Sequence, residues 1–247
     1  MKMTCKNELK ALLRRIKSVG DVEKIKPEIK EALSKLDPAE LALAEQELMA
    51  EGISVEEIRK LCEPHLELLR EGIIKRRQTL DPSHPIQILR EEHEVILQKI
   101  EELRRILEKP AKNYDEHELN KLKDIVHHLI EAESHHKREE EALFPELERK
   151  GITGPPKVMQ MEHEELRAHK KALKELLETH KKLSYKNFLS TLKEHGSYIV
   201  QNLDSHIFKE NNILYPTALR TIEGETWTKI KKKFDEIGYC CFTPKEK

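Results

Sequence analysis

Residues His135 to Pro145 read HHKREEEALFP, and the same frame returns at His206 to Pro216 as HIFKENNILYP. Both stretches run His-x-x-x-Glu, then an apolar residue, an aromatic and Pro. His135 pairs with His206, Glu139 with Glu210, Leu143 with Leu214, Phe144 with Tyr215 and Pro145 with Pro216. A second matched pair lies upstream, Glu92-His93-Glu94 and Glu162-His163-Glu164. His93 and His135 are 42 positions apart and His163 and His206 are 43, so the chain carries an internal duplication built around residue types that ligate metals.

Residues at i and i+4 share one face of an α-helix. His135 with Glu139, and His206 with Glu210, therefore present an imidazole and a carboxylate in one direction. His93 and His163 add one imidazole from each of two further helices. Four helices folded together direct four imidazoles and two carboxylates into one interior. Buried carboxylates are rare unless paired or bound to a cation. Imidazole with carboxylate suits iron, manganese or zinc, and a four-helix bundle is a known host for such two-metal sites.

The rest of the composition agrees with this architecture. Charged residues make up 37% of the 247 residues and aromatics 4%, with 8 glycines, which favours helix and leaves little room for sheet. The net charge of -1 gives no basic field for nucleic acid. No apolar run approaches the roughly 20 residues that span a bilayer. The amphipathic start MKMTCKNELKALLRRI lacks a signal-peptide core, so a cytoplasmic protein is expected. Four scattered cysteines, Cys5, Cys62, Cys240 and Cys241, do not make a disulfide framework.

Three regions are expected. Residues 1–80 form a small helical domain, with a helix start at Asp37-Pro38, a stop at Gly52 and a capping box opening at Ser54. Within it Cys62 and His65 lie three apart and read as core residues, with a zinc half-site as the alternative. Residues 83–219 hold four long helices: about Pro85 to Glu108, Asp115 to Arg149 with a disturbance at Pro145, the break at Gly151–Pro156 followed by a helix to about His180, and Tyr185 to Leu219 with a late Pro216. Short loops make this an up-down-up-down bundle. Residues 220–247 form a tail whose Trp227, Ile230, Phe234 and Ile237 mark a helix that packs back on one of the domains.

Other histidines compete for the site. His136 and Glu140 share the i,i+4 spacing but break the register of the repeat. His128, seven residues before His135, is a candidate neighbour of the site, as are Tyr114 and Tyr198. His169 reads as a surface residue, and His84, His117, His127, His180 and His195 read as capping or loop residues. Cys240-Cys241 reads as a terminal pair or as a redox handle.

Residues 83 to 219 resemble the hemerythrin-like, or HHE cation-binding, domain through LREEH (Leu89 to His93), HHKREEEALFP, MEHEELR (Met161 to Arg167) and HIFKENNILYP. The resemblance implies an all-α bundle around a non-haem di-iron centre, with two iron ions bridged by oxo and carboxylate groups. It implies His93, His135, Glu139, His163, His206 and Glu210 as ligands, the two glutamates bridging, and oxygen or nitric oxide as the bound ligand. Oxygen carriers of this family have another His one turn after His163, where this chain has Arg167. That departure makes the pattern closer to family members linked to repair of nitrosatively damaged iron centres. ALAEQELMAEGISVEEIRKLCEPH, Ala42 to His65, is similar to a helical domain of unknown function, the DUF438 type. Three functions follow as expectations: binding of oxygen or nitric oxide in sensing or stress defence, an enzyme-like repair or detoxification role, and a metal-dependent regulator meeting a protein partner through the N-terminal domain.

Overall fold

The computed structural model describes residue 11 and residues 38–57, 79–109 and 115–244. Most of the expected N-terminal helices, with Cys62 and His65, and Tyr114 lie outside them. The fold is all-α, an up-down-up-down four-helix bundle preceded by helical N-terminal structure, and no strand occurs among the described residues. The chain divides into two compact units. One holds the described residues of Met1–Thr79 with Phe144–Met159 and Phe208–Thr226. The other holds Leu80–Leu143, Gln160–Ile207 and the described residues of Trp227–Lys247.

In the larger unit, α2 (Pro85–Glu108) follows α1 (Pro38–Ala50) in the chain. His84 is its N-cap: Nδ1 accepts from the Ile86 amide at 3.2 Å, and Pro85 sits where no amide is needed. Ile86, Leu89, His93, Ile96, Ile100 and Leu103 are buried at alternating spacings of three and four, the seam of a helix packed against neighbours. A histidine thus occupies one position of an otherwise apolar stripe. α3 (Glu116–Glu131) starts at Asp115, whose carboxylate accepts from the Glu118 amide at 2.8 Å. α4 (Glu133–Arg138) continues its course.

At Glu139 the helix widens into a π segment, Glu139–Leu143, before α5 (Phe144–Arg149). The second repeat does the same: α7 (Tyr185–Lys209) gives way to a π segment, Glu210–Leu214, then α8 (Tyr215–Thr221). Pro145 and Pro216 each stand two residues past a π segment. Proline lacks the amide for an i→i−4 bond, and its ring crowds the carbonyl four residues back, so the preceding turn loosens. The expected disturbance at Pro145 is present, spread over the five residues before Phe144.

α6 (Gly154–Thr179) begins earlier than the break at Gly151–Pro156 suggests. Pro155 and Pro156 fall in its first turn, where proline costs no hydrogen bond. Within the smaller unit, Gln46 of α1 closes this helix start. Its Oε1 accepts from Thr153 N at 2.8 Å and Gly154 N at 3.1 Å, and its Nε2 donates to Gly151 O at 2.8 Å. A Cβ at Gly154 would meet Met49 Cε at 2.6 Å and Gln46 Cβ at 3.1 Å, so α1 packs closely on this glycine and a larger residue would need Met49 to move. The expected start at Pro38 is there, Gly52 (φ 96°) ends the turn after α1, and Ser54 and Glu57 cap each other's amides.

The core of the larger unit is one apolar cluster, including Ile100, Leu103, Leu122, Leu129, Leu166, Leu173, Leu192, Ile199 and Leu203. Each fully buried aliphatic side chain contributes about 1.5–3 kcal/mol. α9 (Glu225–Ile237) belongs to this unit, buries Ile230 and Phe234, and ends at Gly238 in the left-handed region (φ 93°).

Candidate metal centre

Beyond the apolar cluster, the duplicated residues are buried polar groups. His93, His135, Glu139, His163, His206 and Glu210 are each at most 1% exposed. The rings pair within each repeat: His93 and His135 have centroids 4.6 Å apart, His163 and His206 4.8 Å apart. Glu139 lies between the repeats. Its Oε2 is 3.6 Å from His135 Nε2 and 3.5 Å from His163 Nε2. His163 Nε2 and His206 Nε2 are 3.0 Å apart. Glu210 opens the second π segment, one turn after His206, as Glu139 opens the first one turn after His135.

The orientation of these imidazoles is set from outside. His135 Nδ1 is 2.7 Å from Glu92, His163 Nδ1 2.7 Å from Glu140, and His206 Nδ1 2.8 Å from Glu162. A carboxylate can only accept, so each Nδ1 carries the proton and donates. The Nε2 atoms are then lone-pair donors turned inward. This tautomer is the one that binds a metal, and carboxylate–imidazole pairs raise ligand basicity. Imidazoles and carboxylates converging in a buried space fit transition-metal cations by donor chemistry.

The outer carboxylates are themselves held. Glu92 accepts from Arg138 Nη2 at 2.6 Å and from the Thr243 hydroxyl, besides His135. Burial alone would raise its pKa; the His135 hydrogen bond and the Arg138 charge work against it and help bring it down to about 2. Glu140 accepts both oxygens' worth of hydrogen bonds from Arg167 Nη2, at 2.9 Å each, and Arg167 Nε donates to Glu133 at 2.9 Å. Burial opposes ionisation of Glu140 as well, but His163 and Arg167 hold it below the usual carboxylate range. Arg167 thus stands one turn after His163 as a clamp on a carboxylate.

The tail completes the Glu92 side. Arg138 is fully buried, with its guanidinium 5.4 Å from the Phe234 ring and 4.9 Å from the Tyr239 ring, and Nη1 donates to Gly238 O at 3.2 Å. Cys240 Sγ lies 3.1 Å from Ser134 Oγ and 3.7 Å from Arg138 Nη2. Burial and the Glu92 charge push its pKa up to about 11, so it is a protonated thiol near neutral pH. Cys241 is exposed, and both are free.

The competing histidines are placed as follows. His136 is buried and stacks on His163, with centroids 4.0 Å apart and planes 11° from parallel. Its ligand nitrogen comes within 4.8 Å of those of His163 and His206. An imidazole lone pair lies in the ring plane, however, and two stacked parallel planes cannot both contain one ion. Burial, followed by neighbouring positive groups, keeps His136 neutral. Glu140 is engaged by His163 and Arg167. His128 turns to its own helix, with Nδ1 2.8 Å from Asp124 O, and stacks on Phe242. Tyr198 donates to Glu165 at 2.5 Å and lies flat on His169 at 3.7 Å, while His169 Nδ1 meets His195 Nδ1 at 3.0 Å. His169 and His195 are therefore half-buried partners between α6 and α7 rather than surface residues.

Glu92, Glu162, Arg138 and Thr243 are given no role by the sequence reading, and Glu140 enters it only as a partner of His136. The first two had a signal, since the duplicated Glu-His-Glu repeats the glutamate as faithfully as the histidine.

Two family models match the chain. One, described as the hemerythrin HHE cation binding domain, covers residues 84–218. The other, a family of unknown function (DUF438), covers residues 9–75. No curated protein matches. No helix among the described residues is long and apolar enough to cross a membrane.

Proposed function

Because the chain belongs to the hemerythrin HHE cation-binding domain family, we propose that it is a cytoplasmic non-haem di-iron protein that binds oxygen or nitric oxide, in sensing or in defence against oxidative and nitrosative stress. One observation carries the reading: three buried histidines donate from Nδ1 to carboxylates and so turn Nε2 inward. In this proposal His93 and His135 would hold one ion and His163 and His206 the other, with Glu139 and Glu210 as carboxylates shared between them. The bound pair supplies open coordination for a diatomic ligand.

The chain's own residues do the rest. The ligand side chains are almost fully removed from solvent, which keeps bulk water away and strengthens every charge interaction inside. Glu139, 3.5–3.6 Å from imidazoles of both repeats, would offset the charge of bound cations. Glu92, Glu140 and Glu162 fix the ring planes and retain the Nδ1 protons.

Arg167 favours the second reading, an enzyme-like role in iron-centre repair or in reducing nitric oxide or peroxide. It spends its guanidinium on Glu140 and Glu133, so one imidazole fewer is offered than in an oxygen carrier. The test is metal content with an optical spectrum on protein purified without added metal, beside His135→Ala and His206→Ala. About two irons per chain are expected, with the bridged-iron absorption lost in both variants. Manganese or zinc in place of iron would correct the metal alone. No bound metal, or metal untouched by either substitution, would overturn the assignment. Turnover assays with nitric oxide or peroxide then separate binding from catalysis.

A further inference from the structure

The C-terminal segment after α9 reaches the candidate metal centre on one side. Thr243 is 151 residues from Glu92 in sequence, yet its hydroxyl donates to Glu92 Oε1. Arg138 donates to the same carboxylate, and is itself fastened to the segment by Gly238 O, Phe234 and Tyr239. Glu92 in turn accepts from His135 Nδ1. A carboxylate offers about four lone-pair sites. His135, Arg138 and Thr243 engage both of its oxygens, which leaves the ring of His135 little freedom to turn.

The second repeat is built differently. Glu162 accepts from His206 Nδ1 in the same way. The residue in register with Arg138, however, is Lys209, a point charge without the planar fork of a guanidinium. The duplication ends before the tail, so the tail has no internal counterpart.

We propose that Gly238–Thr243 is a working part of the metal centre, in which Thr243 and Arg138 are positioning residues that hold Glu92, and through it His135, so that the ion of the first repeat is retained separately from the ion of the second. The inference rests on the di-metal reading above for its ions, but the contact it invokes exists in the chain itself. Outer-shell partners of metal-bound imidazoles typically change affinity by about 10- to 100-fold.

The test compares full-length wild type, Thr243→Val and Thr243→Ser. Iron removal by a chelator is followed optically in the loaded proteins. In Thr243→Val one of two release phases is expected to quicken by about tenfold with the other unchanged, and Thr243→Ser should restore the slow phase. Unchanged kinetics, or equal quickening of both phases, would overturn the proposal. In metal-free protein, the His135 Nδ1–H signal in imidazole 15N NMR should exchange with solvent faster in Thr243→Val than in Thr243→Ser. That change in a chain that takes up no metal would sink the di-metal reading and leave the tail's grip on His135 standing. Normal iron loading with no change in either readout would sink the tail proposal alone.

Discussion

His163 and His206 face each other through Nε2 atoms 3.0 Å apart, while each donates its Nδ1 proton outward to a different glutamate. With each Nδ1 turned outward to a carboxylate, the two Nε2 atoms meet in a space closed to water. A cation placed near both would take up their lone pairs, and the carboxylates behind the rings would make the imidazoles better donors.

Weakening that support should weaken metal retention without dismantling the fold. Glu162→Gln keeps an oxygen for the His206 Nδ1–H but removes the charge. We expect metal affinity to fall by about 10- to 100-fold, read by competition with a chromogenic chelator, with helicity by circular dichroism unchanged. Equal affinity in the variant would mean that Glu162 fills space and no more.

Acid should act on the metal-free protein through Glu92. Its pKa drops from 4.5 to about 2 on folding. A carboxylate whose folded value is depressed contributes stability above the unfolded value and loses it as pH falls through the folded one. Urea midpoints should therefore decline as pH is taken from 4.5 towards 2. In Glu92→Gln this segment of the profile should flatten, and an unchanged slope there would show that other groups govern the acid limb.

The π segments give a third expectation. Pro145→Ala restores an amide and removes the clash with the carbonyl of Glu141, so the turn can tighten to α geometry. Tightening rotates Glu139 away from the imidazoles it lies between. Metal affinity is expected to fall by about tenfold or more, and a combined Pro145→Ala, Pro216→Ala chain should lose more than either. Chelator competition measures it, and affinities equal to wild type would show that the π turns survive without proline.

Much of this was legible in the sequence because it is local or repeated. Pro85–Glu108 follows from the spacing of its apolar residues and a proline start, and the tail helix from Ile230 and Phe234 one turn apart. The imidazole and carboxylate positions emerge from the duplication. What stayed hidden depends on contacts between distant segments. Arg138 is one of many charges on a charged helix, and only the docking of Phe234 and Tyr239 makes it a buried clamp. Thr243 belongs to no pattern at all. Arg167 could be recognised as a departure from the family, but not as the guanidinium that binds Glu133 and Glu140. His136 shows the opposite limit: its spacing copies that of His135, the register of the repeat sets it apart in the sequence, and the structure adds its stacking on His163.

The paired π segments also bear on ancestry. A π turn closes its hydrogen bond one residue further along than an α turn. Both halves carry theirs at the same place, opening on the equivalent glutamate and closing two residues before the equivalent proline. The economical history puts the widened turn first and the doubling second. The ancestral helical hairpin then already had its glutamate turned inward, and a gene encoding one such hairpin would have needed a second copy of its product to surround an ion.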